Sequence, residues 1–288
     1  MQEPNADHSV TLNWHGAAHY HIRYNNLETV IDPLYSRIPG DRPHLPVSKE
    51  DLDRIDFLLL THGHLDHSWD FPYLVARHGP EVYAPRECLR DLEREVERSG
   101  AECDMQSCHA LDEVKGKAFN ISDIEVTPYQ IGAEEIDFWF IRSMFLRPWL
   151  HWRPAAFPTG IRWLTHHVSG DCFAFHFRFP PRGRTMLFFG NLTGQVEEMK
   201  EIERVDVLAI PYCPANQKWL LQSQYLIERF QPDVTLVHHF DNFMNPFTLP
   251  KYMNLDKYRN ALQERCPEAK FYFSKFLREV DLTEIIGA

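Results

Sequence analysis

The apolar positions fall in short blocks separated by polar turns. Thr11–Trp14 and Tyr20–Tyr24 alternate apolar and polar residues, the period of a half-buried strand, and Glu28–Ile31 adds a third run ending at Asp32-Pro33. Asn25-Asn26 suits the hairpin turn between the last two. Residues 36–47 hold several Pro and Gly and read as a loop, and Ser48-x-x-Asp51 reads as a capping box opening a short helix. Phe57–Leu60 is continuously apolar, as expected of a strand buried on both faces. Glu81–Ala84 follows as a strand, and Arg86–Arg98 as an amphipathic helix stopped by Gly100. Further strands are expected at Ile124–Tyr129, Cys172–Phe179, Met186–Phe189, Val205–Ile210, Val234–Val237 and Lys270–Phe273, with helices at Lys218–Phe230 and Leu255–Arg265. Strands come first and then alternate with helices, the order of an α/β or α+β sandwich, which we read as one domain over 1–288. No internal repeat shows in the sequence, although duplicated halves can diverge beyond recognition. Residues 138–164 stand apart, aromatic and Arg-containing without periodicity, and read as an insertion over the core.

Charge narrows the functional classes. The 288 residues carry 30 Lys and Arg against 41 Asp and Glu, a formal net charge of −11. That balance argues against a nucleic-acid binder that neutralises phosphates, and against a polybasic membrane anchor. Met1–Ser9 lacks a basic n-region and an apolar h-region, so no signal peptide is expected, and runs such as Phe57–Leu60 are too short to span a bilayer. The cysteines, at 88, 103, 108, 172, 213 and 266, form no CxxC. They read as reduced thiols of a cytoplasmic protein, with Cys103 and Cys108 in a loop. The outlying count is histidine: protonating all 16 would move the charge from −11 to +5. Many must therefore stay neutral inside the fold, or bind something.

One segment concentrates them. Leu60-Thr61-His62-Gly63-His64-Leu65-Asp66-His67 places HxHxDH directly after the buried apolar run. A tight turn there aims His62 and His64 at one point and Asp66 and His67 at a neighbouring one, with Gly63 letting the backbone fold closely between them. Neutral imidazoles with a carboxylate suit a divalent metal, Zn²⁺ first, with Fe or Mn as the others.

At these residues the chain resembles the metallo-β-lactamase fold superfamily, and within it the branch containing ascorbate-6-phosphate lactonase and the N-acyl-phosphatidylethanolamine phospholipase D. Trp14-His15-Gly16-Ala17-Ala18-His19-Tyr20 is similar to the branch's W-L-G-H-A-S-F-like opening, and Val30-Ile31-Asp32-Pro33 to its I-D-P strand end. Phe189-Gly190-Asn191-Leu192-Thr193-Gly194 stands where members have G-D-T-G, and Val237-His238-His239-Phe240-Asp241-Asn242-Phe243 where they end an apolar strand in P-x-H-x-x-T-F. The resemblance covers roughly residues 10–275. It implies a four-layer αββα sandwich with one or two metals at the strand-end edge between the sheets, held by His62, His64, Asp66, His67, His239 and Asn191. It also implies a hydrolase in which metal-activated water attacks an ester, lactone or phosphodiester, with Asp66 as the catalytic residue.

Two positions depart from the pattern. Ile131 falls where the family's third first-site histidine is expected, so Glu134 or Glu135 becomes the candidate replacement ligand. Asn191 replaces an aspartate that bridges two metals, and an amide offers one neutral carbonyl oxygen and an NH₂ that cannot ligate. Two dications around one carboxylate would repel strongly, which favours one well-held metal or a weak, asymmetric pair. Two other classes stay open: an iron-dependent oxidoreductase on the same fold, and a binding protein that has lost turnover.

The remaining histidines read blandly. His238 should face away from His239, since neighbouring strand residues point to opposite faces. His19 and His21 share a face, with His19 near the edge that holds the family's site and so a candidate to support its ligands, while His8, His15, His44, His78, His109 and His176 belong to no constellation. His166 and His167 read as a loop or strand-start pair. In the aromatic segment Trp149, His151 and Arg153 are candidate contacts for a small-molecule substrate, apolar with an anionic group; a homo-oligomer interface is the competing reading.

Overall fold

The computed structural model describes residues 9–37, 43–100, 103–132, 170–212, 218–241 and 254–287. Among them, fourteen strands form two seven-stranded sheets. The strands are β1 Val10–Trp14, β2 Tyr20–Tyr24, β3 Leu27–Ile31, β4 Phe57–Leu59, β5 Glu81–Ala84, β6 Cys108–Ala110, β7 Phe119–Ile121, β8 Ile124–Ile131, β9 Cys172–Phe179, β10 Arg184–Phe189, β11 Val207–Pro211, β12 Val234–His238, β13 Phe271–Phe273 and β14 Glu279–Asp281. The helices are α1 Leu65–Ser68, α2 Phe71–His78, α3 Arg86–Ser99, α4 Leu111–Val114, α5 Trp219–Phe230, α6 Leu255–Arg265 and α7 Leu282–Gly287.

The first sheet runs β14-β1-β2-β3-β4-β5-β6 and the second β13-β12-β11-β10-β9-β8-β7. In the first, β14 to β3 pair antiparallel and β3 to β6 parallel. In the second, β7 to β10 pair antiparallel and β10 to β13 parallel. The same three-plus-three pattern in both sheets is a duplication visible in topology where the residues show none.

Three apolar clusters define the layers. Leu12, Ile22, Leu59, Val126, Phe175 and Phe188 pack between the sheets. Leu58, Leu74, Val75 and Leu92 join the first sheet to α2 and α3, and Leu187, Leu208, Leu226 and Leu262 join the second to α5 and α6. The result is the four-layer αββα sandwich. Phe57–Leu59 is legible as a buried strand because both its faces are covered, Leu58 by helices and Leu59 by the other sheet.

The capping box forms around a short 3₁₀ turn, Lys49–Asp51, with Asp51 at its third position. Gly100 stops α3 in the left-handed region. Cys108 corrects the loop expected around it: it opens β6, an edge strand pairing with β5. No disulfide joins the described cysteines, which exclude Cys213. No helix is long and apolar enough to cross a membrane among the described residues. The aromatic segment 138–164 lies outside the described residues.

Candidate metal centre

Parallel strands bring their C-terminal ends to one edge of the sandwich. β3 leads to Asp32, β4 leads through Thr61 to His62, β10 leads to Gly190 and Asn191, and β12 leads to His239. This is where open α/β sheets place their ligands. The two sheets are stitched at this point, Phe173 N–H donating to the carbonyl of Thr61 at 2.9 Å.

Asp32 organises the near side and is fully buried. Its Oδ1 accepts from Thr61 N–H at 2.7 Å and its Oδ2 from the Thr61 hydroxyl at 2.6 Å. Oδ2 also meets His67 Nδ1 at 2.8 Å. The Thr61 hydroxyl has spent its proton on Asp32, so its 2.9 Å contact with His62 Nδ1 makes that nitrogen the donor. His62 and His67 therefore both carry a proton on Nδ1 and keep Nε2 for other work. Close approach requires a glycine opposite: a Cβ on Gly190 would lie 2.1 Å from Thr61 Oγ1 and 2.8 Å from Asp32 Oδ2. Asp32 and His239 both take positive φ, 46° and 61°, a conformation costly enough to need a surrounding structure that fixes it.

Asp66, His67 and His239 bring three ligand atoms within 4.8 Å of one another. Asp66 Oδ2 lies 3.4 Å from His67 Nε2 and 3.3 Å from His239 Nε2. Metal–ligand bonds of about 2.0–2.1 Å at tetrahedral angles give edges of about 3.3–3.4 Å, so the set fits a zinc-class ion. Electrostatics agree. Burial alone would raise the Asp66 carboxyl, but His67 and His239 hold it well below the usual carboxylate range. His67 is pushed up to about 10 against its burial, by Asp66 and then Asp32. His62 goes the other way, held well below an ordinary imidazole by burial and then by His67 and His64.

His62 and His64 sit edge to face with centroids 4.4 Å apart, and His62 lies 4.0 Å from the His67 ring. Among the described residues no third His, Cys, Asp or Glu completes a ligand group with that pair. Ile131 is buried toward the helical layer with Leu187 and Leu192. Asn191 donates Nδ2 to the carbonyl of Gly132 at 3.1 Å, and its buried Oδ1 has no hydrogen-bond partner among the described residues. Glu134, Trp149, His151 and Arg153 lie outside the described residues.

The comparisons fit this geometry. A family model described as the beta-lactamase superfamily domain matches residues 28–240. The chain belongs to that superfamily. Its curated relatives are described as metal-dependent hydrolases. A UPF0173 metal-dependent hydrolase of Staphylococcus aureus is 24% identical over 241 residues, 81% of this chain and 87% of that protein. One from Halorubrum lacusprofundi is 44% identical over 61 residues, and the match spans 22% of its length. Among solved structures, the metallo hydrolase Igni18 of Ignicoccus hospitalis aligns at TM-score 0.58 and 15% identity, covering 95% of this chain and 98% of that one. CmlA, a diiron beta-hydroxylase of Streptomyces venezuelae, also aligns at 0.58, with 17% identity, over 97% of this chain and 55% of its own.

For this superfamily member the sequence motif gave the residues around the centre but not their support. The roles of Asp32 and Thr61 on the imidazoles were not read from sequence; a carboxylate closing the strand beside the HxHxDH strand was the available signal. One reading needs correction: His15 does belong to a constellation, stacked on His21 at 4.3 Å and tilted on His19 at 4.9 Å. The backbone turn through Gly16 and Ala17, both with positive φ, brings it there.

Proposed function

We propose that this chain is a hydrolase of esters, lactones or phosphodiesters, with a single zinc-class ion held by Asp66, His67 and His239 and with Asn191 offering its amide oxygen beside them. The observation that carries this is the pair of 3.3 and 3.4 Å separations between one carboxylate oxygen and two imidazole nitrogens. A divalent ion bound there supplies Lewis acidity that turns water into a nucleophile near neutral pH.

The chain's own groups do the rest. Asp32 fixes the His67 ring through Nδ1, so that Nε2 faces Asp66. Asp66 keeps its carboxylate ionised, able to orient the attacking water and take its proton. His62, with Nε2 unprotonated, and His64 stand beside the centre as hydrogen-bonding groups for substrate or as part of a weaker ion site. Trp149, His151 and Arg153 are proposed contacts for an apolar substrate with an anionic group, on their composition alone. Asn191 counts against a dinuclear redox centre such as the diiron one named for CmlA, because it removes the second carboxylate.

Metal analysis of protein purified without added metal, followed by assay on nitrophenyl esters, bis-nitrophenyl phosphate and simple lactones, tests the reading. The expected result is tightly held metal, of which the His67→Ala/His239→Ala substitution removes about one equivalent, and hydrolysis that a chelator abolishes and zinc restores. Hydrolysis indifferent to the chelator, or two equivalents lost with that double substitution, would overturn it.

A further inference from the structure

We propose that His15, His19 and His21 form a second, structural site for a zinc-class transition-metal ion, separate from the Asp66 centre. All three are buried, at 5%, 0% and 4% exposure. Each can offer one ring nitrogen, and those nitrogens lie within 4.8 Å of one another. The rings face each other at centroid distances of 4.3, 4.9 and 5.2 Å, with Tyr35 packed edge-on against each. Modest side-chain rotations close such a set to tetrahedral edges of about 3.3 Å.

Hydrogen bonding points to a ligand. Both ring nitrogens of His15, and Nε2 of His19, are buried without a hydrogen-bond partner among the described residues. Buried polar atoms left unsatisfied are costly, and an ion among the rings would satisfy them. His21 is arranged as metal-bound histidines are: Nδ1 meets the Glu28 carboxylate, which makes it the donor and leaves the lone pair on Nε2. That lone pair now meets the Tyr35 hydroxyl, which must yield it to an ion and is then a candidate fourth ligand. His19 Nδ1 accepts from Leu34 N–H at 3.3 Å, a long bond and the one the ring gives up in becoming a ligand. Burial, then the neighbouring imidazoles and Arg37, keep His15 and His19 far below the usual imidazole range, so neither holds a proton that an ion must displace.

The cations facing this cluster are Arg37, whose charge is met by Asp241 at 3.1 Å, and Arg23, paired with Glu28 and Glu279; Glu28 also supplies negative charge behind His21. The three imidazoles, closed off from solvent, are the donors of a structural rather than a catalytic site. What such a site would brace is visible. Arg37 donates to the His15 carbonyl, and Ala17 N–H donates to Asp241 Oδ1 at 2.7 Å. The turn is built tightly: a Cβ on Gly16, at φ +96°, would lie 2.5 Å from both Arg37 Nη2 and Asp241 Oδ2. Asp241 follows His239 by two residues, so an ion on the histidines pins the turn that holds the His239 segment.

Wild-type crystals grown with two equivalents of zinc decide the matter by anomalous scattering. Density among the three rings supports the site; zinc at Asp66 alone, or an ordered water among the rings, overturns it, and neither outcome bears on the hydrolase reading. In solution, the His67→Ala/His239→Ala variant should keep about one zinc equivalent after gel filtration, and adding His15→Gln and His19→Gln should remove it. A folded His67→Ala/His239→Ala protein that binds no zinc would overturn the proposal as well.

Discussion

Two groups of three side chains in this molecule are built from the same imidazole and behave in opposite ways. Around Asp66, buried His67 is pushed up to about 10 because two carboxylates, Asp66 and Asp32, face it. At His15, where the neighbouring charges are His21, Arg37 and Arg23 rather than a carboxylate, burial pushes the ring down to about 2. Burial is the first cause in both and would lower both; the neighbouring charge decides which wins. A histidine near a carboxylate is a proton competitor for a metal, whereas one buried among histidines and Arg37 is a neutral donor waiting for one. The difference also separates a centre suited to chemistry, with an ionised carboxylate, from one suited to bracing.

The largest expected effect breaks the first group. Asp66→Asn keeps the shape but removes the charge that holds both imidazoles. Hydrolysis, measured as kcat/KM on whichever ester or lactone proves active, should fall about 10²–10⁴-fold, the usual worth of a lost acid–base group. His15→Gln/His19→Gln should leave most of that activity. Next comes Asp32→Asn, which acts only through His67 and Thr61. Zinc affinity, read by competition with a chelator, should weaken about 10–100-fold, while the far-ultraviolet spectrum is unchanged.

Acid sharpens the same comparison. His15, His19, His62 and His238 all have folded values below the ordinary imidazole, with burial the leading cause in each. The unfolded chain therefore binds protons below about pH 6.5 that the folded metal-free protein refuses. Stability is fully present above that pH and declines as pH falls, by up to about 1.4 kcal/mol per pH unit for each such group. His67 runs the other way: its contribution is complete below about 6.5 and is lost as pH rises through about 10. Urea unfolding of metal-free protein at pH 7, 6 and 5 checks the acid limb. His15→Gln should flatten it, and a slope unchanged by that substitution would contradict the burial argument.

What sequence reveals of this protein follows from where the physics is local. Cys172–Phe179 is legible because Phe recurs at every second position, 173 to 179, on the face toward the other sheet, and Val234–Val237 because it is buried on both faces and apolar but for Thr235. β6, β7 and β14 escape because three-residue pieces at or near sheet edges, such as Cys108–Ala110, carry too few residues for a period and are only partly buried. α2 escapes although Phe71, Leu74 and Val75 have helical spacing, because it is short and begins just after the histidine motif. The same holds for function. His62, His64, Asp66 and His67 are neighbours in sequence, and their spacing announces them. The group at His15, His19 and His21 is brought together by a positive-φ turn at Gly16-Ala17, which three histidines in seven residues hint at but do not specify.

The smallest effect bears on why the Asp66 centre should hold one ion. Asn191 Nδ2 donates to the Gly132 carbonyl at 3.1 Å, a contact that an aspartate would turn into two acceptors facing each other. Asn191→Asp should therefore cost metal-free protein about 1 kcal/mol, the net worth of one hydrogen bond with some repulsion added. The new carboxylate also restores the charge needed for a second dication beside His62 and His64. Thermal melts with and without zinc separate the two effects. The variant should melt below wild type when metal-free and recover with zinc, and its zinc content should rise by about one equivalent above that of wild type. If the substitution costs nothing and binds no further zinc, the amide is not what limits the centre, and the histidine missing at Ile131 must carry that burden alone.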